Sequence, residues 1–132
     1  MRVVVTGSTG AVGRRVCARL AADGHEVVGL DRRSSVPPAP GVEIRVVDLA
    51  VADLRDLLAD ADTVVHLASG VTAGDVGENT GHDRLAVVER LLAAAGDVGV
   101  GHLVVRSPAM VSGAWPDNPV PLTEDAPVRP CP

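Results

Sequence analysis

A short apolar run that leads directly into a glycine-rich segment limits the folding of this chain more than any other feature. Residues 3–5 are all valine, and residues 6–13 have the sequence TGSTGAVG. An apolar run bounded by turn residues predicts a buried strand, and the glycines predict a tight turn. A helix that starts after such a turn presents unpaired backbone N–H groups, which bind phosphate. The segment therefore predicts a strand, a turn and a helix arranged to hold a pyrophosphate.

The three glycines of this segment have different expected tasks. Gly7 permits the tight turn, Gly10 lets the backbone approach a phosphate without an intervening Cβ, and Gly13 permits close packing of helix on strand. Glycines are common in turns, so the prediction depends equally on the strand before them and the helix after them.

The rest of the sequence alternates between apolar runs and segments with helical periodicity. We predict strands at residues 2–6, 26–30, 43–47, 63–67 and 101–106. We predict helices at residues 11–22, 51–58 and 83–95, loops at residues 32–41 and 70–81, and an irregular proline-rich tail at residues 107–132. This alternation predicts one α/β domain with a parallel sheet covered by helices. Right-handed crossovers give a Rossmann-type sheet with strand order 3-2-1-4-5.

The first predicted helix has an apolar stripe that indicates its buried face. Val12, Val16 and Leu20 recur at helical spacing. Gly24 follows the stripe and suits a C-terminal cap. We therefore expect these three side chains to pack on the sheet.

Charge and composition exclude several classes of partner. The net charge of −5 at pH 7 and the pI near 5.2 disfavour nucleic acids and anionic membranes. No apolar stretch reaches the roughly 20 residues that cross a bilayer. The two cysteines, Cys17 and Cys131, have no metal-ligand spacing. We therefore expect a soluble cytoplasmic protein without a bound metal.

An acidic residue at the end of the second predicted strand supports a dinucleotide site. Asp31 stands where a carboxylate accepts hydrogen bonds from the hydroxyls of an adenosine ribose. A carboxylate there repels a 2′-phosphate, which favours NAD. Arg32 and Arg33 follow directly and can pair with such a phosphate, so NADP stays open. The alternative role of Asp31 is that of a turn former after the strand.

Several segments, in order, resemble one protein family. They are residues 5–13 (VTGSTGAVG), 47–49 (VDL), 62–68 (DTVVHLA), 92–95 (LAAA), 99–104 (GVGHLV) and 121–130 (PLTEDAPVRP). Together they extend over effectively the whole chain and resemble the extended short-chain dehydrogenase/reductases, the NAD-dependent epimerase/dehydratase group. The resemblance implies a Rossmann fold and an NAD or NADP cofactor.

The resemblance also implies roles for residues beyond the glycine segment. Asp48 matches an acidic residue that contacts the adenine ring. Leu67, Ala68 and Ser69 match a strand end that lines the nicotinamide ribose and the pyrophosphate. His66, inside the same apolar run, is expected to be buried or hydrogen-bonded and not a catalytic base. The expected cofactor-binding residues are Gly7, Thr9, Gly10, Ala11, Val12, Gly13, Asp31, Arg32, Asp48, Leu49, Leu67, Ala68 and Ser69.

The chain departs from the family pattern where catalysis is expected. Pro108 occupies the position of the catalytic hydroxyl, which leaves the preceding Ser107 as a candidate for contact with nicotinamide or substrate. The Tyr-x-x-x-Lys pair that transfers a proton in the family would lie just beyond Pro132, and the 132 residues contain no Tyr and no Lys. His82 and Asp83 are the other acid–base candidates, with a solvated helix cap as the alternative for Asp83.

Three interpretations of the function remain open at this point. The chain is a dinucleotide-binding module without short-chain dehydrogenase catalysis of its own. Alternatively it is an enzyme, either one subunit of a split epimerase/dehydratase or a small enzyme with different chemistry in the same pocket. The third interpretation is a truncated fragment. In each case the fifth predicted strand is an exposed edge, so we expect a second copy, a partner chain or the tail to cover it.

Overall fold

Strands and helices alternate along the chain in a computed structural model that describes residues 1–34, 37–68, 80–107 and 109–129. The strands are β1 (Arg2–Thr6), β2 (Glu26–Asp31), β3 (Val42–Val46), β4 (Thr63–His66) and β5 (His102–Val105). The helices are α1 (Ala11–Ala22), α2 (Leu54–Leu58) and α3 (Thr80–Val98), with a 3-10 turn at Ala109–Ser112. All eight predicted strands and helices are present in the predicted order, and each strand boundary agrees within one residue.

The five strands form one parallel sheet in the order β3-β2-β1-β4-β5, which confirms the predicted order. At its centre, Val4 of β1 lies opposite Val28 of β2 and Val64 of β4. A parallel sheet covered on both faces needs apolar residues throughout its central strands. The valine run of β1 meets that need, because Val3, Val4 and Val5 are each at most 1% exposed.

Helices cover the two faces of the sheet unequally. Because successive strand residues point to opposite faces, Val4 packs in the cluster that holds Leu91 of α3. Val3 and Val5 pack in the other cluster, with Cys17 of α1. The chain runs from β1 outward to β2 and β3, then returns to β4 on the other side of β1. The carboxyl ends of β1 and β4 are therefore the point at which ligands bind in sheets of this kind.

The buried face of α1 is one residue away from the predicted stripe. Gly13 and Cys17 are buried, with Val16 and Leu20 partly buried beside them, whereas Val12 is 48% exposed. The prediction that Val12 is buried is therefore wrong. The physical reason is the close approach of α1 to the preceding turn, which only a face with Gly13 permits.

The helix after β3 is shorter than predicted. It begins at Leu54, three residues later than expected, because Asp53 caps it by accepting a hydrogen bond from the Arg55 N–H at 3.0 Å. Residues 49–52 form a turn instead. This turn becomes important for the site described below.

The long helix is longer than predicted at both ends. It begins at Thr80, inside the predicted loop at residues 70–81, and ends at Val98. The isolated Gly96 does not stop it, and Gly99, with φ of +78°, follows its last residue. None of the helices that the structure describes is long and apolar enough to span a bilayer.

The strand β5 forms one edge of the sheet. Within the described part of the chain it pairs with β4 alone. Val104 and Val105 on this strand are 53% and 44% exposed. The structure thus contains the exposed apolar edge expected from the sequence.

The tail after β5 is held by side-chain hydrogen bonds. The indole N–H of Trp115 donates to the Arg129 carbonyl oxygen at 2.7 Å. The Arg129 guanidinium donates to Asp117 at 3.1 Å, and the Asn118 amide donates to the Gly113 carbonyl oxygen at 2.8 Å. Beyond the 3-10 turn the described tail has no helix or strand, but these contacts close it into a loop.

Candidate dinucleotide-binding site

The glycine-rich turn joins β1 to α1 at the carboxyl edge of the sheet. Gly7 has φ of +69°, and its N–H donates to the Leu30 carbonyl oxygen at 2.9 Å. A Cβ on Gly7 would lie 2.7 Å from the Ala68 nitrogen, and a Cβ on Gly13 would overlap the Gly7 carbonyl oxygen. The packing of the protein itself therefore requires the first and third glycines.

Gly10 differs from the other two glycines because a Cβ there would closely approach only one described atom and would overlap none. Its φ of −68° and ψ of 167° are extended values that any residue adopts. A Cβ there would meet the Gly7 carbonyl oxygen at 3.3 Å and no other described atom within 4 Å. The missing side chain instead keeps the space in front of α1 open, as the close approach of a phosphate requires.

The first turn of α1 faces this open space with its backbone. No side chain within the described residues caps the helix, and its first turn holds no acidic residue. Ala11 and Val12 are both exposed. The first N–H groups of a helix have no intrahelical partners, and the helix dipole adds positive charge there. This end of α1 can therefore bind an anion.

Asp31 lies beside the glycine turn at the end of β2. Its Oδ2 accepts a hydrogen bond from the Thr9 N–H at 2.9 Å, and its backbone oxygen accepts one from the Val47 N–H at 2.7 Å. A carboxylate has acceptor capacity for several donors, so Asp31 can still bind hydroxyl groups. Arg32 and Arg33 follow it and are exposed.

Asp48 and Leu49 lie where β3 leads into the turn at residues 49–52. Asp48 is exposed, and its Oδ1 accepts a hydrogen bond from the Ala50 N–H at 2.9 Å. Leu49 is only 8% exposed and packs in the core under α2 and α3. The Asp48 carboxylate is thus accessible to a ligand, whereas the buried Leu49 could contact a ligand only through its backbone.

The end of β4 is tied directly to the glycine turn. The Leu67 N–H donates to the Thr6 carbonyl oxygen at 3.2 Å, and the Ala68 N–H donates to Thr6 Oγ1 at 3.3 Å. Both residues are half-buried. Ser69, which the sequence places next, lies outside the described residues.

Thr6 and His66 form a buried pair between β1 and β4. Thr6 Oγ1 and His66 Nδ1 are 2.8 Å apart, and the two residues are 0% and 6% exposed. Burial lowers the pKa of His66 below its usual 6.5 and so favours the neutral imidazole. The expectation that His66 is buried and hydrogen-bonded is confirmed. The role of Thr6 was missed, because its partner lies 60 positions away.

The acid–base candidates are only partly described. Ser107 is exposed and follows β5 at the same carboxyl edge as the glycine turn. The Arg106 N–H donates to the His66 carbonyl oxygen at 3.2 Å, which keeps this end of β5 beside β4. The side chains of His82 and Asp83, at the start of α3, lie outside the described residues, as does Pro108.

Arg90 of α3 is a further residue near the site that sequence reasoning missed. Its guanidinium donates to the carbonyl oxygens of Leu49 at 2.7 Å and Ala52 at 2.8 Å, and also to that of Ala50. A single side chain therefore fastens the turn after Asp48 to α3. Contacts from a side chain to distant backbone oxygens follow no sequence pattern, so the sequence could not have predicted the contacts of Arg90.

Five parallel strands in this order, with a glycine turn between β1 and α1, define a Rossmann-type domain. The model of the NAD-dependent epimerase/dehydratase family matches residues 3–132, and the chain belongs to that family. The resemblance noted in the sequence is thereby confirmed.

Two curated relatives show how much of a family member this chain represents. It is 35% identical to the UDP-glucose 4-epimerase of Mycolicibacterium smegmatis in an alignment 144 positions long, which covers 98% of this chain and 45% of the relative. It is 39% identical to the dTDP-6-deoxy-L-talose 4-dehydrogenase (NAD(P)(+)) of Kitasatospora kifunensis in an alignment 98 positions long, which covers 70% of this chain and 30% of the relative. The chain therefore spans less than half the length of these relatives.

Two solved structures share the fold at similar coverage. A short-chain dehydrogenase/reductase superfamily protein from Agrobacterium tumefaciens, solved with bound NAD, is 32% identical with a TM-score of 0.83, over 100% of this chain and 40% of that one. The UDP-N-acetylglucosamine 4-epimerase from Methanobrevibacter ruminantium, in complex with UDP-N-acetylmuramic acid, is 29% identical with a TM-score of 0.82, over 98% of this chain and 44% of that one. The fold of this chain thus also occurs as part of two longer proteins.

Proposed function

We propose that this chain binds NAD at the carboxyl ends of β1 and β4 and forms the cofactor-holding part of an epimerase/dehydratase. The observation that carries the proposal is the open space at Gly10. Gly7 and Gly13 are glycines because backbone atoms would lie within 2.9 Å of a Cβ, whereas a Cβ at Gly10 would meet only the Gly7 carbonyl oxygen, at 3.3 Å. A bound pyrophosphate accounts for the glycine at position 10. The Agrobacterium tumefaciens neighbour solved with NAD supports the choice of ligand.

The described residues fit the parts of such a dinucleotide. The backbone N–H groups of Ala11 and Val12 would bind the pyrophosphate at the start of α1. The carboxylate of Asp31, held by the turn, would accept hydrogen bonds from the adenosine ribose. Asp48 would meet the adenine, and Ala68 at the end of β4 would line the nicotinamide ribose.

We further propose NAD over NADP. The Asp31 carboxylate lies beside the turn, 2.9 Å from the Thr9 nitrogen, and a 2′-phosphate on the ribose would bring a second negative charge next to it. Arg32 and Arg33 are exposed and offer positive charge nearby, which keeps NADP as the second choice. The name of the Kitasatospora kifunensis relative includes both cofactors.

The proposed role in catalysis is to hold and orient the cofactor. NAD, when bound, supplies a hydride acceptor. The proton that accompanies hydride transfer needs an acid–base group, and the 132 residues contain neither the Tyr nor the Lys of the family pair. We propose that this group comes from a polypeptide segment outside these residues, with Ser107 as a contact to nicotinamide or substrate. A binding module that performs no chemistry is the second candidate, and the same missing residues favour it.

The exposed edge of β5 is where we propose that further polypeptide packs. Val104 and Val105 leave apolar surface open on an edge strand. A second copy of this chain or a partner chain would cover it, which makes the assembly an oligomer or a complex of two different chains.

The proposal is tested by calorimetric titration of NAD into a Gly10→Val variant. We expect its affinity for NAD to fall by about tenfold or more, because the side chain fills the phosphate space. The matched control is Gly96→Val, since a Cβ at Gly96 meets nothing within 4 Å and lies in α3, away from the turn. If Gly10→Val stays folded by circular dichroism and binds NAD like the wild type, the phosphate site is elsewhere.

A further inference from the structure

We propose that Arg90 is a positioning residue for adenine recognition, because its guanidinium holds the turn at residues 49–52 and thereby fixes the carboxylate of Asp48. This inference rests on the proposed function, which assigns the adenine to Asp48. It gives α3, which otherwise packs against the sheet, a role in the specificity for adenine.

The contacts of Arg90 are concentrated on one turn. The acceptors are three carbonyl oxygens, those of Leu49, Ala50 and Ala52, which lie 38 to 41 positions before Arg90 in the chain. An arginine presents five N–H donors in a planar fork and can bind several oxygens at once. A lysine ammonium at the same place lacks this fixed geometry.

The same peptide units connect Arg90 to Asp48. The unit between Leu49 and Ala50 offers its oxygen to Arg90 and its N–H to Asp48 Oδ1 at 2.9 Å. The next unit offers the Ala50 oxygen to Arg90 and the Val51 N–H to the Asp48 backbone oxygen at 3.2 Å. In a planar trans peptide the C=O and N–H groups point in opposite directions. Arg90 therefore sets the direction in which both N–H groups meet Asp48.

The binding of an adenine ring would depend on the orientation of the Asp48 carboxylate. Its exocyclic amino group is a donor that a carboxylate accepts. Hypoxanthine carries an oxygen at the same position, which a carboxylate repels. A carboxylate held in one orientation distinguishes the two bases, whereas a freely rotating one distinguishes them less, because it loses side-chain entropy when it binds.

A second arginine provides the matched control. Arg55 of α2 donates to Asp97 of α3 at 2.8 Å, so it also joins α3 to the segment after β3. It makes none of the contacts to the oxygens of residues 49–52 described for Arg90. Its side chain is 64% exposed. Loss of Arg55 therefore removes a contact between α2 and α3 without releasing the turn.

The experiment compares ADP with inosine diphosphate as ligands of the wild type, Arg90→Gln and Arg55→Gln by calorimetry. We expect the wild type to prefer ADP, and this preference to fall about fivefold or more in Arg90→Gln. We expect Arg55→Gln to keep the wild-type preference. A general loss of stability would weaken the binding of both nucleotides equally and leave the ratio of their affinities unchanged. If Arg90→Gln is unfolded, Arg90→Lys carries the same test, because it retains the charge and loses the fork.

Two results would overturn the inference, and they differ. A folded Arg90 variant that keeps the wild-type ratio of ADP to inosine diphosphate affinity contradicts the role of Arg90 and leaves the proposed function intact. A wild type that binds neither ADP nor NAD contradicts the proposed function, and the inference falls with it.

Discussion

Two of the three glycines in the turn after β1 are fixed by contacts inside the protein, and the third is not. A Cβ on Gly7 or Gly13 would collide with backbone atoms, whereas one on Gly10 would approach only the Gly7 carbonyl oxygen, at 3.3 Å. The sequence pattern predicted the three as one set with separate tasks. The structure separates the two whose contacts shape the turn from the one that we propose leaves space for a phosphate. Substitutions at Gly7 and Gly10 should therefore affect different properties, folding in the first case and binding in the second.

At the same scale, Asp31→Ala tests the proposed ribose contact. We expect NAD affinity to fall about tenfold, because hydrogen bonds to a charged group are lost. NADP affinity should fall much less, because the repulsion of the 2′-phosphate is lost as well. Calorimetric titration of both cofactors measures the difference. Asp56→Ala, which removes an exposed carboxylate from α2, is the control. Equal losses for NAD and NADP would contradict the ribose role.

At the scale of strands and helices, the sequence predicted the sheet well and the contacts between elements poorly. The valine runs determine β1 and β2, because only a central parallel strand buries so many branched side chains. The predicted buried face of α1 was wrong because α1 closely approaches the turn through Gly13. The predicted start of α2 was wrong because Asp53 caps the helix. The Thr6–His66 pair and the contacts of Arg90 were missed because their partners are distant in the sequence. The positions of the candidate site residues on the turn and at the strand ends were predictable, and the contacts that hold them in place were not.

The buried pair of Thr6 and His66, which joins β1 to β4, predicts that the free energy of unfolding depends on pH. Burial lowers the pKa of folded His66 below 6.5, so the unfolded chain binds more protons as the pH falls. The contribution of His66 to the free energy of unfolding is thus complete above pH 6.5 and is lost as the pH falls through the lowered pKa.

We therefore expect His66→Gln to cost about 1–3 kcal/mol at pH 7 and progressively less toward pH 5. Urea denaturation of both proteins at several pH values measures this. His102→Gln, at an exposed position on β5, should cost little at any pH. Parallel curves for the wild type and His66→Gln would mean that His66 does not titrate as a buried group.

At the scale of the whole molecule, the exposed edge of β5 predicts association. If a second copy or another chain covers Val104 and Val105, the particle should be heavier than the 13.5 kDa of one chain. Sedimentation velocity measures the mass, and hydrogen exchange measures the protection of the outward-facing β5 amides, those that do not bond to β4. A mass of 13.5 kDa with rapidly exchanging β5 amides would contradict this part of the proposal. A mass of 13.5 kDa with protected amides would assign the cover to the tail of the same chain.

The claim that this chain holds a dinucleotide is tested most directly by calorimetric titration of the wild type with NAD, NADH, NADP and NADPH. We predict saturable binding of NAD with one site per chain and a Kd below about 1 mM, which corresponds to at least about 4 kcal/mol of binding free energy. NAD should bind more tightly than NADP. If none of the four saturates the folded protein below the millimolar range, the open space at Gly10 is not a phosphate site and the account is contradicted.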